Sequence, residues 1–544
     1  MIKTPGRANL QSGRILVSTG ASRAIDGEAR AEWGFNEFAL VEAAGRFCAQ
    51  RFAGAFPELF KARPRITVAA GTGNNAADAM VMLRHWILAG LAGPSSSAVV
   101  LSRASTNGAS SPGAELLVSF RKMQVPLVLW DGDITEAAGR VAADILARSD
   151  IIVDGIAGTG LNGALGGTLL EMVNAINACR RPFVVSVDMP SGNSDHWKPG
   201  MPIVRADATL AIEPRKLCNY TPAARPCAGV ILPVGGIFPD EIIARHSGAE
   251  ILDWNSARER VSKIKPHVYK NKRGAVEIRA GSTGTSGAAL IAARGAQAAG
   301  AGLVRLVVDD DIHPILASQA GGVMVFPASA DGGGFRADAV LLGPGWGKGQ
   351  DRLPVLKRAL ETEGIALILD ADAIGLAGDT VFGGNAILTP HPGEFSCFSG
   401  IEKEELLCNP GPTLLTFARQ QNAVILFKGH VITIAAPDGR LGVVDGMAPV
   451  LAAGGSGDLL AGLCSAIAAR MVREGSYCGY TCATVAAALF IELGSPERFG
   501  PCFTDPLELA GRAAALAGEA WLTADIPADI PADIPAALKE RCHG

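Results

Sequence analysis

Residues Leu451–Leu463 read LAAGGSGDLLAGL, a Gly-Gly-Ser-Gly-Asp run set directly before an apolar pattern. Leu459, Leu460, Leu463 and Ile467 fall on one helical face, so the Gly-rich run is expected to open a helix. Amides at a helix start lack intrahelical acceptors, and glycines let a phosphate come close to them, which together make an anion site. At that rim Asp458 could take a proton from a hydroxyl attacking a phosphoryl group, or poise that hydroxyl for transfer. The same residues also read as a tight turn with an Asp N-cap, and taken alone the run leaves both readings open.

Working outward, the second half repeats one arrangement: a short apolar strand, then a turn bearing Gly or Asp. Ala275–Ala280 leads into Gly281–Ala289 and an alanine-rich helix through Ala301, and Leu303–Val308 follows as a strand. Val340–Leu342 runs into GPGWG (343–347), Ala366–Asp370 into DADA (370–373), Ile387–Leu388 into TPHPGE (389–394) and Val424–Phe427 into KGH (428–430). Such alternation indicates a mainly parallel sheet covered on both faces. Asp370 and Asp372 read as turn or packing residues. The basic lead-in, Lys263 to Arg273, reads as a solvated face or as cover for nucleotide phosphates.

The first half has the same grammar. Two helical patterns flank Gly34 within Arg23–Arg46. Ile66–Ala70 is a strand running into GTGNNAAD (71–78) and the helical run Met80–Leu88, a mononucleotide-binding unit without a full dinucleotide fingerprint. Ile151–Asp154 and Val184–Asp188 are further strands, each ending in an acid before a Gly-bearing turn. In open α/β sheets ligands bind beyond the carboxyl ends of strands, so Asp154, Asp188 and Asn74–Asp78 are expected around one mouth. Each Asp could also simply cap its turn.

Composition narrows the class. The 544 residues are 48% hydrophobic and 19% charged with 66 glycines, which suits an α/β enzyme of two or more domains. The 49 basic and 53 acidic residues are intermixed, so no nucleic-acid footprint is expected. No apolar run is long enough to span a bilayer, because Arg294 and Arg470 interrupt the best candidates. The first twenty residues lack the apolar core of a signal peptide. Scattered cysteines, 11 in all, fit reduced thiols, and Cys478 with Cys482 makes a poor metal site for want of a second pair. A cytoplasmic homo-oligomer acting on a small molecule, without nucleic acid or membrane, is the expectation.

NNAAD (74–78), VDGIAGTG (153–160) and VDMPSG (187–192) resemble the motifs of the NAD(P)H-hydrate epimerase domain, and Arg23–Arg46 resembles its leading helices. The order GPGWG, LDADA, TPHPGEF, KGH, GGSGD closely resembles the ADP- or ATP-dependent NAD(P)H-hydrate dehydratases of ribokinase-like fold. Together the resemblances cover nearly the whole chain. They imply a Rossmann-like three-layer domain over 1–245 and a ribokinase-like three-layer α/β domain over 266–522; the polar junction at 246–265 reads as a linker, and three ADIP copies, with proline every fourth residue, read as an extended, flexible tail at 523–544.

The implied substrates are the NADH and NADPH hydrates. In the first half the resemblance assigns ligand contacts to Asn74, Asn75, Ala76, Ala77, Asp78, Gly158, Thr159, Gly160, Leu161, Asn162, Gly163, Ala164 and Asp188, and potassium to Asn75, Asp154 and Ser191. In the second half it assigns nucleotide contacts to Lys428, Gly429, His430, Val431, Ile432 and Gly457, and substrate contacts to Ala288, Gly345, His391 and Asp458, with Asp458 catalytic. ADP or ATP with magnesium would be the phosphoryl donor. Phosphorylating the hydroxyl of the hydrate turns a poor leaving group into a good one, after which phosphate departs and the ring double bond returns.

Two departures stand out. Ala76, Ala77 and Ala79 replace glycines of the epimerase motif, where a Cβ is unfavourable if the position needs positive φ or close phosphate approach. Trp346 stands where leucine is usual, and altered packing is expected there. The competing readings are a ribokinase-like kinase of a small alcohol and a first half that only binds or scaffolds.

Overall fold

The computed structural model describes residues 12–103, 111–130, 137–330 and 334–522, so the ADIP tail lies outside the described residues. The chain divides into two compact units. The first comprises the residues up to Leu252 together with Pro390–Met447, and the second comprises Asp253–Thr389 together with the residues from Ala448 onward.

The first unit is built on a seven-stranded sheet whose pairings are all parallel. Its order is Leu127–Leu129, Ser97–Leu101, Ile66–Ala70, Ile151–Gly155, Phe183–Val187, Ala208–Ile212 and Val230–Val234. The central strands are apolar and buried along their length, as a sheet covered on both faces requires. One face packs the helices Glu37–Ala55, Asn74–Leu88 and Pro112–Lys122 around Phe52, Leu83 and Phe120. The other packs Ala137–Arg148 and Gly167–Ala178 around Leu146, Met172 and Val173. The result is three layers. Successive strands run outward from Ile66–Ala70 in one direction and from Ile151–Gly155 in the other, so the switch point lies between these two.

The same unit holds a second group of strands. Val424–Phe427, Val431–Ala435 and Leu441–Asp445 form an antiparallel meander, and Leu441–Asp445 pairs with Ala249–Ile251, which pairs with Ile15–Val17. Arg215–Lys216 lies parallel to Ile15–Val17 on the far side. Arg225 clamps Asp445 with two hydrogen bonds of 2.8 Å. These pairings explain why Pro390–Met447 groups with the N-terminal residues. They also give structure to 246–265, expected as linker: the strand Ala249–Ile251 is followed by the helix Trp254–Ala257, closed by a capping box at Asp253.

In the second unit six strands form an all-parallel array in the order Met324–Pro327, Leu303–Val308, Ala275–Arg279, Ala339–Leu342, Ala366–Leu369, Ala386–Leu388. Its switch point falls between Ala275–Arg279 and Ala339–Leu342. The helices Ser286–Ala298 and Ser456–Arg473 cross with almost no side chain between them. A Cβ on Gly462 would lie 2.1 Å from the Ala292 carbonyl oxygen, and one on Gly295 would lie 2.6 Å from that of Leu459. Ile291 faces Gly455 while Gly295 faces Leu459, so the helices run parallel and their N-termini share one end. Among the described residues no helix is long and apolar enough to cross a membrane.

Because backbone occupies the space a side chain would need, Gly462→Ala is expected to destabilise the second unit by about 1–3 kcal/mol. Urea unfolding followed by tryptophan fluorescence would show a lower midpoint. An unchanged midpoint would mean that the helices are not held at this separation.

Candidate functional site

A cleft of about 590 Å³ opens at the switch point of the first unit, beyond the carboxyl ends of Ile66–Ala70 and Ile151–Gly155. Its walls include Asn74, Asn75, Asp78, Gly158, Thr159, Gly160, Leu161 and Asp188. The other predicted positions sit elsewhere. Ala76 and Ala77 are buried behind the wall, and Asn162, Gly163 and Ala164 are exposed outside the lining.

The alanine departures cause no backbone strain. Asn74–Leu88 is a helix beginning at Asn74 with Gly73 as its N-cap, so Ala76, Ala77 and Ala79 occupy ordinary helical positions, not the positive φ entertained from sequence. Gly155 makes the room: a Cβ there would lie 2.6 Å from that of Ala79.

Asp154 and Ser191 lie beneath the cleft, fully buried. Asp154 accepts hydrogen bonds from the Ser186 hydroxyl, from the Ser191 amide and hydroxyl, and from the Ile156 amide. Burial pushes its carboxyl above the usual range, and the Ser191, Ser186 and Ile156 bonds oppose that rise. Nearby, Asn75 donates to the Ala157 carbonyl while its own Oδ1 is buried with no hydrogen-bond partner. An orphaned oxygen beside a buried carboxylate and a serine is a donor set of the right hardness for a monovalent cation.

Lys216 carried no motif, yet the fold brings it to the floor of this cleft. Its Nζ lies 2.6 Å from Asp188 Oδ1 and 3.1 Å from the Ile212 carbonyl. Asp188 itself has φ +66°, a strained conformation for a non-glycine residue, and its carbonyl accepts from Asn219. Asp26 of the helix Thr19–Trp33 also lines the cleft. The only sequence signal for Lys216 was a basic residue just after Glu213-Pro214; its contact comes from the neighbouring places of Phe183–Val187 and Ala208–Ile212 in the sheet, since Asp188 follows the first and Lys216 the second.

The cleft is thus rich in buried carboxyls. Asp78 is pushed well above the usual range, by burial first and then by the Asp188 charge, with Lys216 opposing; its Oδ1 has no hydrogen-bond partner. Asp188 is raised by burial, with Lys216 opposing.

Within the second unit, Ala288, Gly345, Gly457 and Asp458 gather toward the shared end of the parallel helices. Gly455 is the N-cap at φ +90° and the helix starts at Ser456, which makes Asp458 its third residue. Asp458 is therefore not the N-cap that the turn reading allowed. Gly345, at φ +55°, packs so closely on Thr285 and Ala288 that a Cβ would lie 3.0 Å from that of Ala288. The Pro344 carbonyl accepts from the Gly281 amide, tying together the two loops of the switch point. Trp346 is buried with the Arg352 guanidinium 5.6 Å from its ring centroid. Asp370 accepts from Thr389 and Asp372 from the Gly347 amide, both loop-fixing roles.

The remaining predicted residues belong to the first unit. His391 is the N-cap of Pro392–Ser399, its Nδ1 accepting from the Gly393 and Glu394 amides. Lys428 is largely buried, 3.9 Å from Glu394. Gly429 is exposed, and the His430 ring lies 2.8 Å from the Pro222 carbonyl. Val431 and Ile432 have buried side chains within a strand, so any contact they make with a ligand is through the backbone.

Two family models match the chain. Residues 276–492 match the NAD(P)H-hydrate dehydratase family, and residues 37–218 match the YjeF-related protein N-terminus family. A bifunctional NAD(P)H-hydrate repair enzyme of Salinibacter ruber is 29% identical over 543 residues, covering 92% of this chain and 96% of that one. A second, from Synechocystis sp., is 30% identical over 459 residues, covering 79% and 82%. An ADP/ATP-dependent NAD(P)H-hydrate dehydratase from Bacillus subtilis, co-crystallised with ATP and Mg2+, is 23% identical with a TM-score of 0.44, covering 49% of this chain and 97% of that one. The class defined is thus a two-part nucleotide-cofactor enzyme with an N-terminal YjeF-related half. The chain belongs to the family of bifunctional NAD(P)H-hydrate repair enzymes.

The Asp78 carboxyl has a folded pKa above its unfolded value of about 3.8, so ionising it in the folded state opposes folding. The unfavourable contribution grows as pH rises from the unfolded value through the folded one. Asp78→Asn is therefore expected to raise the melting temperature relative to the parent, by more as pH increases and by little near pH 4. Calorimetry across that range tests it, and a gap that narrows with rising pH would contradict the assignment.

Proposed function

We propose that this chain repairs hydrated NADH and NADPH, its 1–245 half interconverting the two epimers and its 266–522 half dehydrating the S epimer with ADP or ATP as phosphoryl donor. The observation that carries the reading is the helix start at Gly455–Asp458, where a carboxylate stands within a glycine-lined turn at the switch-point end of a parallel sheet. Family membership supplies the substrate class.

Asp458 would orient the hydroxyl of the hydrate or take its proton as the phosphoryl group arrives. Amides of the first helical turn, around Gly457, would face the charge on that group, and the aligned dipoles of two parallel helices add to the effect. Gly345 and Ala288 would leave room for the hydrated ring, since neither carries a side chain beyond Cβ. Magnesium, when bound, neutralises phosphate charge. It would be held mainly by phosphate and water.

In the other half, Asn75, Asp154 and Ser191 would hold potassium, and the orphaned Asn75 Oδ1 supports that reading. Potassium, when bound, would supply a fixed positive charge to that donor set.

Purified protein given S-hydrate and each nucleotide in turn is expected to restore reduced-nicotinamide absorbance and release phosphate. Asp458→Asn should slow this at least ~100-fold, a typical contribution for a positioned acid or base, with circular dichroism unchanged. Near-normal turnover by the variant would remove Asp458 from the mechanism. A stable phosphoester with no restored absorbance would replace the repair reading with that of a small-alcohol kinase.

A further inference from the structure

The cleft of the first unit contains two buried carboxyls in unequal circumstances. Asp188 has a cation of its own, Lys216 at 2.6 Å. Asp78 lines the same cleft, and its Oδ1 is buried without a hydrogen-bond partner. The groups that act on Asp78 come from three directions: Asp26 of Thr19–Trp33, Asp188 after Phe183–Val187, and Lys216. Buried thiols also face the pair, Cys48 from Glu37–Ala55 feeling both acids and Lys216, and Cys218 feeling Asp188, Asp195 and Lys216. Two neighbouring carboxyls out of water do not readily ionise together, and the one beside a cation ionises first.

We propose that Asp78 and Asp188 are the acid and base of epimerisation, with Lys216 the positioning residue that keeps Asp188 ionised while Asp78 retains its proton. This rests on the epimerase reading above. Hydration of an enamine leaves the new hydroxyl on the carbon bonded to nitrogen, so the two epimers differ at a hemiaminal carbon. The Asp78 proton passes to that hydroxyl oxygen, the C–O bond breaks as the nitrogen lone pair forms C=N, and water leaves. A solvent water then adds to the other face of the carbon, the C=N pair returns to nitrogen, and the proton shed goes to Asp188. One water leaves and one enters, and one proton moves from Asp78 to Asp188, so the reverse reaction begins with the roles exchanged. Burial raises both carboxyls, while the Lys216 ammonium, 2.6 Å from Asp188, favours ionisation of that one.

The test uses the full chain with R-enriched hydrate, conversion to the S form being separated chromatographically in the absence of nucleotide. Asp78→Asn and Asp188→Asn are each expected to lower kcat at least ~100-fold with little change in KM. Lys216→Gln removes the charge that favours Asp188 ionisation, so the acidic limb of kcat/KM should move to higher pH, and Lys216→Arg should hold it in place. Nucleotide-dependent dehydration of S-hydrate by the same variants, with near-UV circular dichroism, reports folding; if an Asp variant misfolds, the Lys216 profiles decide. Full-rate epimerisation by Asp78→Asn, or a slower Lys216→Gln enzyme whose limb has not moved, overturns the assignment. No epimerisation by the unaltered chain overturns the epimerase reading instead.

Discussion

A carboxylate closed off from water organises the first unit. Asp154 lies one residue before the end of the strand Ile151–Gly155 at the switch point, and its two oxygens take hydrogen bonds from Ser186 on the next strand, from both donors of Ser191 and from the Ile156 amide. An unpaired buried charge would be very costly, so these donors and the loops that carry them are held where they are. Because Ser191 also receives the Ala157 amide, and Asn75 donates to the Ala157 carbonyl, the constraint passes to the loop and helix that form the cleft wall.

The second unit depends on closeness of backbones. Gly295 and Gly462 let two helices touch without intervening side chains, and their parallel sense brings two N-termini to one end. Gly343, at φ +117° with the Asp370 carbonyl 1.8 Å from where its Cβ would be, does the same for the loop that leads to Gly345. The nearer two helix starts lie, the more their unsatisfied amides would act on one anion, which is the part the proposed dehydratase chemistry gives them.

The two units handle charge differently. Around Asp78 and Asp188 the first unit buries acids whose ionisation opposes folding, a pattern expected where proton transfer is the task. In the second, Asp458 remains partly exposed within the first turn of its helix, where the dipole favours a negative charge.

Much of this was legible in the sequence because local signals agreed with the fold. Apolar runs such as Ile66–Ala70, Leu303–Val308 and Val424–Phe427 are too short for helices and end in Gly- or Asp-bearing turns, so strand, turn and helix follow one another as read. Ordered motifs identified both halves. Tertiary structure alone decided which side chains meet. The partnership of Lys216 with Asp188 arises because the strands they follow, Ala208–Ile212 and Phe183–Val187, are neighbours in the sheet, and spacing carries no trace of it. The alanines of the Asn74 helix take ordinary helical conformations, and Gly155, far away in sequence, vacates the space that the Ala79 methyl fills. Local pattern fixes backbone conformation through propensity and burial, whereas the chemistry of a site depends on distances between residues remote along the chain, which only the packed sheet sets.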